Sequence, residues 1–397
     1  MEESFALALI CVSQRLSLQF NNRLELAGQM EGPPVRIDRM EMDVKMDGAP
    51  KVAELRISPE VLKLIGGIDE FKGAWRAIGR LAPERLSALR HVATIESIGS
   101  STRIEGSKLT DREVERLLAN LHIRNFANRD EQEVVGYAET METVFAHAHD
   151  IPLTENHIRQ LHRDLLRHAL KDERHRGEYK TLRNDVVAFD GEGGQVGVVF
   201  ETASPFDTPR LMADLVAWTN RTLHERSHHS LVSIAIFIVT FLAIHPFQDG
   251  NGRLSRILTT LLLLRSGYAY VPYASLESVV ENTKDQYYLA LRKTQQTIKN
   301  DRPDWEPWLQ YFLGALFEQK SRLEKKLEQE RLLLGDLPEL SVRILALCKE
   351  RGRATVSDIE KVTGANRSTI KDHLAALTKA GHLTRRGAGR GSWYSLS

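Results

Sequence analysis

The stretch HPFQDGNGRLSR, residues 245–256, does most to decide the fold of this chain. It lies between the apolar segment Leu231–Ile244 and a second apolar segment, and each of these segments predicts a buried helix. Gly250 and Gly252 allow the backbone to approach a ligand closely. The first amides of the second helix point into that space with the positive end of the helix dipole. The loop and the helix together therefore predict an anion site.

The side chains of the same stretch add a reactive group and a metal ligand. Arg253 and Arg256 lie one turn apart on the second helix, and guanidinium groups match phosphate oxygens in a planar fork. Asp249 offers the hard carboxylate oxygens that Mg²⁺ prefers. His245 ends the first helix and can accept a proton near neutral pH. Each residue alone is ordinary, but together they predict a triphosphate site with a metal ligand and a general base.

Helical periodicity surrounds this stretch, and one segment interrupts it. Apolar residues recur at helical spacing from Pro59 onward, and Thr110 and Thr154 are suited to cap two of the helices. Between residues 176 and 205, two short apolar runs flank a glycine-rich turn, which predicts a β-hairpin. The residues that we expect to form the two strands of this hairpin include Val186, Val187, Val198 and Val199.

The whole pattern resembles the Fic family, named for filamentation induced by cAMP. The family motif is H-P-F-x-[D/E]-G-N-G-R-x-x-R, and residues 245–256 match all nine of its fixed positions. The resemblance implies a mostly α fold, with an all-helical Fic core over residues 85–316 and a β-hairpin flap at residues 183–202. In the family, this flap holds a segment of the target protein over the site.

The resemblance also implies a reaction. Fic enzymes typically transfer AMP from ATP to the hydroxyl of a protein Ser, Thr or Tyr and release pyrophosphate. By this likeness, His245 deprotonates the hydroxyl, Asp249 holds Mg²⁺, and Arg256 binds the γ-phosphate. Gln295 stands where the family pattern has Asn. The nucleotide-binding residues that the resemblance implies are Phe247, Gly250, Asn251, Gly252, Arg253, Arg256, Tyr287, Tyr288 and Gln295.

A second motif predicts regulation. Residues 101–106, STRIEG, match the family's inhibitory pattern [S/T]-x-x-x-E-[G/N], on a helix expected over residues 95–106. Alone, such a short pattern usually means a capped helix with a solvated Glu. Upstream of the Fic motif, it implies an inhibitory element formed by Ser101, Glu105 and Gly106, in which Glu105 pairs with Arg256. The carboxylate would then fill the γ-phosphate position, so we expect ATP to bind in a non-productive pose.

The C-terminal part differs in charge from the rest of the chain. Residues 337–397 hold 11 Lys and Arg against 5 Asp and Glu, whereas the whole chain has a net charge of +1. Two helices joined by a turn at Gly364, followed by a basic hairpin, predict a winged helix-turn-helix beyond a linker helix over residues 317–336. With Asn366 as the N-cap, Arg367 would face a DNA groove. A protein-interaction module on the same fold is the alternative.

The remaining features concern class and location. Residues 1–84 form an N-terminal region that we expect to be partly extended, with short strands over Arg36–Lys45 and Val52–Ile57. Two cysteines are too few for a disulfide scaffold. No apolar run reaches the roughly 20 residues that a bilayer requires, and the acidic start is unlike a secretory signal. We therefore expect a cytoplasmic protein without a membrane partner.

Two alternatives stay open beside a self-inhibited adenylyltransferase. In the first, Glu105 positions a water molecule, and the same site removes AMP from a modified protein. In the second, the chain is a DNA-binding regulator whose core only senses nucleotide, although an intact His245 argues against this. The expected partners are a protein substrate of unknown identity, DNA, and the chain itself, through self-modification or a homodimer.

Overall fold

The computed structural model describes residues 49–53, 55–78, 83–120, 126, 128–189, 195–334, 338–387 and 389–396. These residues form fourteen α-helices and two antiparallel two-stranded sheets, so the predicted mostly α fold is confirmed. They divide into two compact units, with the division after Ser321. Within the described ranges, we find no helix with both the length and the apolar character to cross a membrane.

The first unit is built from helices and one hairpin. Its elements are α1 (Pro59–Ile78), α2 (Pro83–Ile104), α3 (Asp111–Ala119), α4 (Arg129–His147), α5 (Glu155–Leu165), β1 (Val186–Phe189), β2 (Gln195–Phe200), α6 (Thr208–Glu225), α7 (Ser230–Ile244), α8 (Asn251–Arg265), α9 (Leu276–Asn282), α10 (Lys284–Gln295) and the start of α11 (Glu306–Leu334). Thr110 and Thr154 cap α3 and α5 with side-chain hydrogen bonds, as their positions in the sequence predict.

Helix α7 forms the centre of the core because it is apolar on every side. Every residue from Leu231 to Ile244 is buried, which distinguishes α7 from an amphipathic surface helix. Helices α6 and α8 pack against it. Trp308 of α11 donates its indole N–H to the Ala235 carbonyl of α7 at 2.7 Å. The connection from α7 to α8, which consists of residues 245–250, therefore starts and ends on firmly packed helices.

Three helices differ from the sequence expectations. Helix α2 ends before Glu105, which lies with Gly106 in the following turn, where Gly106 has φ 106°. Helix α9 was not predicted. Helix α11 is continuous, whereas the sequence suggested a separate linker helix over residues 317–336. Residues 316–319, LFEQ, contain neither Gly nor Pro, so nothing in the chain ends the helix there.

The N-terminal region falls mostly outside the described residues. The strand predicted over Arg36–Lys45 belongs to that part, and the described residues of Val52–Ile57 form no strand. Helix α1 is also part of this region and belongs to the first unit. Its Phe71 ring contacts Tyr270 edge-on, with 4.9 Å between the ring centroids.

The second unit contains three helices and a hairpin. Its elements are α12 (Glu339–Arg351), α13 (Val356–Thr363), α14 (Arg367–Lys379), β3 (Leu383–Arg386) and β4 (Trp393–Leu396). Strands β3 and β4 are antiparallel, and Ala354 forms an additional bridge with Tyr394. Gly364 ends α13 in a left-handed conformation and Asn366 caps α14, which gives the short turn that the sequence predicted. The core of this unit includes Ile344, Ile359, Ile370, Leu374 and Leu377.

Candidate functional site

The loop between α7 and α8 reverses the chain through two left-handed residues. His245 has φ 52° at the C-terminus of α7, and Gly250 has φ 78° before the first turn of α8. Glycine adopts this conformation without strain, whereas histidine does so only where its surroundings hold it. The turn brings His245, Asp249 and the N-terminus of α8 to one cleft.

Two hydrogen bonds between Asn251 and the Phe247 backbone stabilise this loop. The Phe247 N–H donates to the Asn251 Oδ1 at 2.9 Å, and the Asn251 Nδ2 donates to the Phe247 carbonyl at 2.7 Å. The Phe247 ring is fully buried and stacks on His162, with 3.8 Å between the ring centroids. The Phe247 side chain therefore supports the loop from the core, and its contact with a nucleotide stays a prediction.

His162 of α5 fixes the same loop from another element. Its Nδ1 accepts the Gly177 N–H at 2.9 Å, so its Nε2 carries the proton and donates to the Asp249 carbonyl at 2.9 Å. Complete burial lowers the pKa of His162 to about 3, which keeps the ring neutral. The signal that could have indicated this burial is its position four residues after Ile158, on the apolar face of α5.

The cleft is lined by residues of the α7–α8 connection, of the first turn of α8, of α10 and of the β1–β2 hairpin. Phe200 and Val186, which are paired across the hairpin, form part of its wall. The side chains of the other three predicted hairpin residues, Val187, Val198 and Val199, lie outside the described part of the structure. The predicted site residues that line the cleft are Glu105, Val186, His245, Asp249, Gly250, Asn251, Gly252, Tyr287, Tyr288 and Gln295.

Arg256 of α8 is held by the end of α2. Its Nε donates to Ser101 Oγ at 2.8 Å, and its Nη2 donates to the Ser101 carbonyl at 2.9 Å and to Glu105 Oε1 at 2.8 Å. Burial opposes the charge of Arg256, but the Glu105 carboxylate and nearby tyrosines raise its pKa above the usual value. Arg256 is therefore a buried cation whose donors face α2 residues.

The Glu105 carboxylate lies over the first turn of α8. A Cβ atom on Gly252 would collide with this carboxylate, so only glycine fits here without a shift. Lys284 of α10 donates to the Ile104 carbonyl at 2.8 Å and thereby holds the end of α2. The Glu105 side chain remains 20% exposed, whereas Arg256 is 6% exposed. The Glu105 carboxylate thus reaches from the cleft to a buried guanidinium.

The Asp249 carboxylate is ionised and surrounded by donors. Its Oδ1 accepts the Gly250 N–H at 2.7 Å, and its Oδ2 lies 2.7 Å from Arg129 Nη2 and 3.4 Å from Arg253 Nη2. Burial alone would raise the pKa of Asp249, but Arg253 and Arg129 bring it below the usual value. Arg253 is buried and also pairs with Glu133 at 2.9 Å. Arg129 and Glu133 come from α4, and no sequence motif indicated them.

His245 presents a neutral ring to the cleft. Its Nδ1 lies 3.3 Å from the Leu242 carbonyl, an acceptor, so the proton belongs on Nδ1 and the lone pair on Nε2. Burial, together with the ammonium of Lys180, lowers the pKa of His245 to about 4. A neutral imidazole with a lone pair on Nε2 can accept a proton from a substrate hydroxyl.

Side chains of α10 form another wall of the cleft. Tyr287 contacts Tyr288 at 5.1 Å and Trp308 at 5.7 Å between ring centroids. Burial raises the pKa of Tyr287, so its hydroxyl stays protonated. Gln295 is also buried and lines the cleft two turns later. An aromatic wall that ends in an amide suits a flat base with hydrogen-bonding edges.

The second unit exposes basic side chains on α14 and on its hairpin. Arg386 and Arg353 each contact the Trp393 ring, at 5.8 and 5.7 Å from its centroid. The exposed residues on these two elements include Arg367, Ser368, Thr369, Lys371, Arg385 and Arg386.

Comparisons with known proteins agree with the motif. The Fic/DOC family model matches residues 152–263, and a model described as a bacterial protein of unknown function, DUF977, matches residues 335–391. Protein adenylyltransferase Fic of Drosophila virilis is 26% identical over 330 residues, which cover 82% of this chain and 58% of that protein. The Drosophila mojavensis protein of the same name is 30% identical over 280 residues, which cover 69% and 48%. The chain spans about half the length of the curated relatives it matches.

A solved structure extends the similarity across most of the chain. The crystal structure of a Fic family protein from Desulfovibrio desulfuricans G20 is 25% identical, with a TM-score of 0.59, and the match covers 86% of this chain and 97% of that one. The motif, the helical core around it and these relatives agree on one family. This chain therefore belongs to the Fic/DOC family.

Proposed function

We propose that the protein transfers AMP from ATP to the hydroxyl of a protein Ser, Thr or Tyr and releases pyrophosphate. The observation that carries this proposal is the shared cleft, where a neutral His245, an ionised Asp249 and the N-terminus of α8 line one space. The name of the curated relatives, protein adenylyltransferase, supports the same reaction.

The residues of the cleft account for each part of this reaction. His245 Nε2 takes the proton of the attacking hydroxyl, while the hydroxyl oxygen bonds to the α-phosphorus and the bond to the pyrophosphate oxygen breaks. The first amides of α8, around Gly252, stabilise the charge on the phosphate oxygens. Arg253 keeps Asp249 oriented through their 3.4 Å contact. The wall at Tyr287 and Gln295 receives the adenine.

Asp249 fits a role as a magnesium ligand. Its carboxylate is ionised and lines the cleft. Among the described residues there is no group of three or more acidic, His or Cys side chains placed to hold a metal. One carboxylate, with phosphate oxygens and water, is nevertheless a usual Mg²⁺ environment. When bound there, Mg²⁺ would neutralise charge on the reacting phosphates.

We also propose that Glu105 inhibits the site within the same chain. The Arg256 donors that would bind a γ-phosphate are directed at Glu105 and Ser101. The Glu105 carboxylate lies over Gly252, where phosphate oxygens would approach the α8 amides. A triphosphate must therefore displace this carboxylate or bind out of line, and a small misplacement is costly for in-line transfer.

Incubation of the full chain with cell lysate and labelled ATP, UTP, GTP or CTP, followed by mass spectrometry, tests the reaction. Glu105→Gly is the active form, and Glu105→Gly with His245→Ala is its matched control. We expect AMP on Ser, Thr or Tyr residues, including those of the chain itself, only with an intact His245. No label from any nucleotide contradicts the proposal. If a pre-modified protein loses AMP only when Glu105 is present, the result would favour AMP removal instead.

A second candidate function, DNA binding by a winged helix-turn-helix, is favoured by the exposed basic face of the second unit. Lys371 lies exposed on the first half of α14, whereas Lys379 ends the same helix and serves as a matched control. We expect the full chain to bind duplex DNA with an affinity that falls steeply with salt. Lys371→Ala should weaken binding more than Lys379→Ala. Absence of binding at low salt would favour a protein-interaction module.

A further inference from the structure

Lys180 is a buried lysine between the β1–β2 hairpin and the end of α7. It is 3% exposed, and its Nζ donates to Asn184 Oδ1 at 2.8 Å, to Thr202 Oγ1 at 2.8 Å and to the Ile244 carbonyl at 3.0 Å. Asn184 precedes β1 and Thr202 follows β2, so one ammonium joins both ends of the hairpin to α7. All three of these acceptors are neutral, although a buried ammonium usually pairs with a carboxylate.

The same residues bind the backbone of the loop after α7. The Lys180 N–H donates to the Pro246 carbonyl at 2.8 Å. The Asn184 Nδ2 donates to the His245 carbonyl at 3.3 Å and to the Phe247 carbonyl at 2.7 Å. With the Ile244 contact, four consecutive carbonyls, those of residues 244–247, accept hydrogen bonds from Lys180 or Asn184.

His245 lies within this hydrogen-bonded segment, and its backbone conformation depends on these contacts. Its φ of 52° is a conformation that a non-glycine residue keeps only when the surrounding structure fixes it. The contacts on the carbonyls of residues 244–247 supply that constraint from the hairpin side. The conformation of His245 and the base of the hairpin are therefore mechanically linked through Lys180 and Asn184.

The charge of Lys180 also favours the proton-accepting state of His245, in addition to the hydrogen bonds that fix its conformation. Burial lowers the pKa of Lys180 to about 7, and burial together with the Lys180 ammonium lowers the pKa of His245 to about 4. Glu105 and Asp249, the charged groups that act on His245 from the other elements, both raise its pKa. The one cation among these three neighbours thus favours the uncharged imidazole.

We propose that Lys180 is a positioning residue for the transfer reaction, which holds His245 in its proton-accepting conformation and ties that conformation to the base of the hairpin. The catalytic consequence rests on the proposed function. The effect on His245 itself does not require any transfer to take place, so the two can be tested separately.

Lys180→Met in the full chain tests this role, because it keeps an unbranched side chain of nearly the same length and removes the ammonium. Lys72→Met is the matched control, since the Lys72 Nζ also donates to a backbone carbonyl, that of Ser266, at 2.8 Å. The first readout is the NMR titration of His245, whose signal is assigned by its loss in His245→Ala. In wild type and Lys72→Met, we expect no titration of His245 between about pH 5 and pH 8.

In Lys180→Met, removal of the cation stabilises the imidazolium, so the His245 pKa should rise by about one unit or more. The second readout is transfer in the Glu105→Gly background. We expect kcat to fall by on the order of 10²-fold with an unchanged KM for ATP, because His245 is misplaced and the nucleotide contacts are intact. The acid limb of the pH profile should move to higher pH, since the neutral base is lost earlier on acidification.

An unchanged His245 titration in Lys180→Met overturns the proposal even if activity falls, because a merely structural lysine would lower activity without moving that titration. If Lys180→Met does not fold, Lys180→Gln, which keeps a neutral donor, takes its place with the same expected shift. A shifted titration without transfer in any variant would support the positioning of His245 and contradict the proposed function.

Discussion

The two ends of the cleft are held by different kinds of contact. At one end, Arg256 is bound by the Glu105 carboxylate, an anion that another anion can replace. At the other, the His245 loop is held through its backbone carbonyls by Asn184 and Lys180, contacts that a phosphate cannot replace. Under the proposed function, we therefore expect nucleotide binding to rearrange the Arg256 end and to leave the His245 end in place.

The contact at Arg256 is suited to exchange. Removing one partner of a buried ion pair typically costs about 3–5 kcal/mol, because the other charge is left uncompensated. A γ-phosphate that replaces Glu105 brings its own negative charge and offsets that cost. Ser101 can keep its two hydrogen bonds to Arg256 during the exchange. Under the proposed function, we therefore expect the contact between Arg256 and Glu105 to open more readily to a triphosphate than to water alone.

His245→Ala removes the proposed base at the His245 end of the cleft, and we expect it to have the largest effect on transfer. In the Glu105→Gly background, we expect transfer to fall by about 10²–10⁴-fold, the usual contribution of a general base. ATP affinity should be unchanged, since other groups hold the phosphates. Label incorporation and a fluorescent-nucleotide titration measure the two quantities. Transfer within a few-fold of the parent would remove His245 from the chemical step.

Asp249→Asn tests whether the centre of the cleft binds metal. It retains the size of the side chain and removes its charge, so we expect the affinity for ATP with Mg²⁺ to fall by about tenfold or more. Affinity without Mg²⁺ should change much less. Calorimetry with and without Mg²⁺ measures both. Equal ATP affinity of the parent protein in the two conditions would exclude Asp249 as a metal ligand.

Gly252→Ala tests the position of Glu105 without any nucleotide. The new methyl group would collide with the Glu105 carboxylate, which must shift against its bond to Arg256, so we expect a cost of about 1 kcal/mol in the free energy of unfolding. In Glu105→Gly this cost disappears, and the same substitution should be neutral or stabilising, because alanine favours the helix. Denaturant unfolding of the four proteins in the cycle measures this coupling. If the effects of Gly252→Ala and Glu105→Gly were additive, the Glu105 carboxylate would not lie over Gly252.

Lys284→Met should loosen the Arg256 end and have the smallest effect. Its Nζ holds the Ile104 carbonyl at the end of α2, and loss of such a hydrogen bond costs about 1 kcal/mol. Transfer should therefore rise by roughly fivefold as Glu105 is held less firmly. Lys72→Met, which removes a similar bond to the Ser266 carbonyl, is the control. An equal change of transfer in Lys284→Met and Lys72→Met would contradict the role of Lys284 in holding the end of α2.

The sequence indicated the features that depend on neighbours along the chain. The hairpin, the caps at Thr110, Thr154 and Asn366, and the turn at Gly364 all follow from local residue preferences. They were predicted because a cap or a turn involves residues only a few positions apart. The same locality explains why residues 245–256 could be assigned to a loop followed by the start of a helix.

The contacts that complete the site could not be predicted in this way. His162, Arg129 and Lys180 bind residues 244–249 from distant parts of the chain, across separations of more than sixty positions. Such contacts depend on the packing of helices, and no local pattern encodes them. The position of the Phe247 ring is a further example, because only the packed structure shows it stacked on His162.

The most direct test of this account compares label incorporation by the parent protein, Glu105→Gly, and Glu105→Gly with Arg256→Ala at equal ATP. Displacement of the Glu105 carboxylate should free Arg256 for the γ-phosphate, so Glu105→Gly should raise transfer by on the order of 10–10²-fold. Arg256→Ala should cancel this gain, because the two residues act through one contact. A Glu105→Gly protein no more active than the parent, while Arg256→Ala still loses activity, would contradict the inhibitory exchange at Arg256.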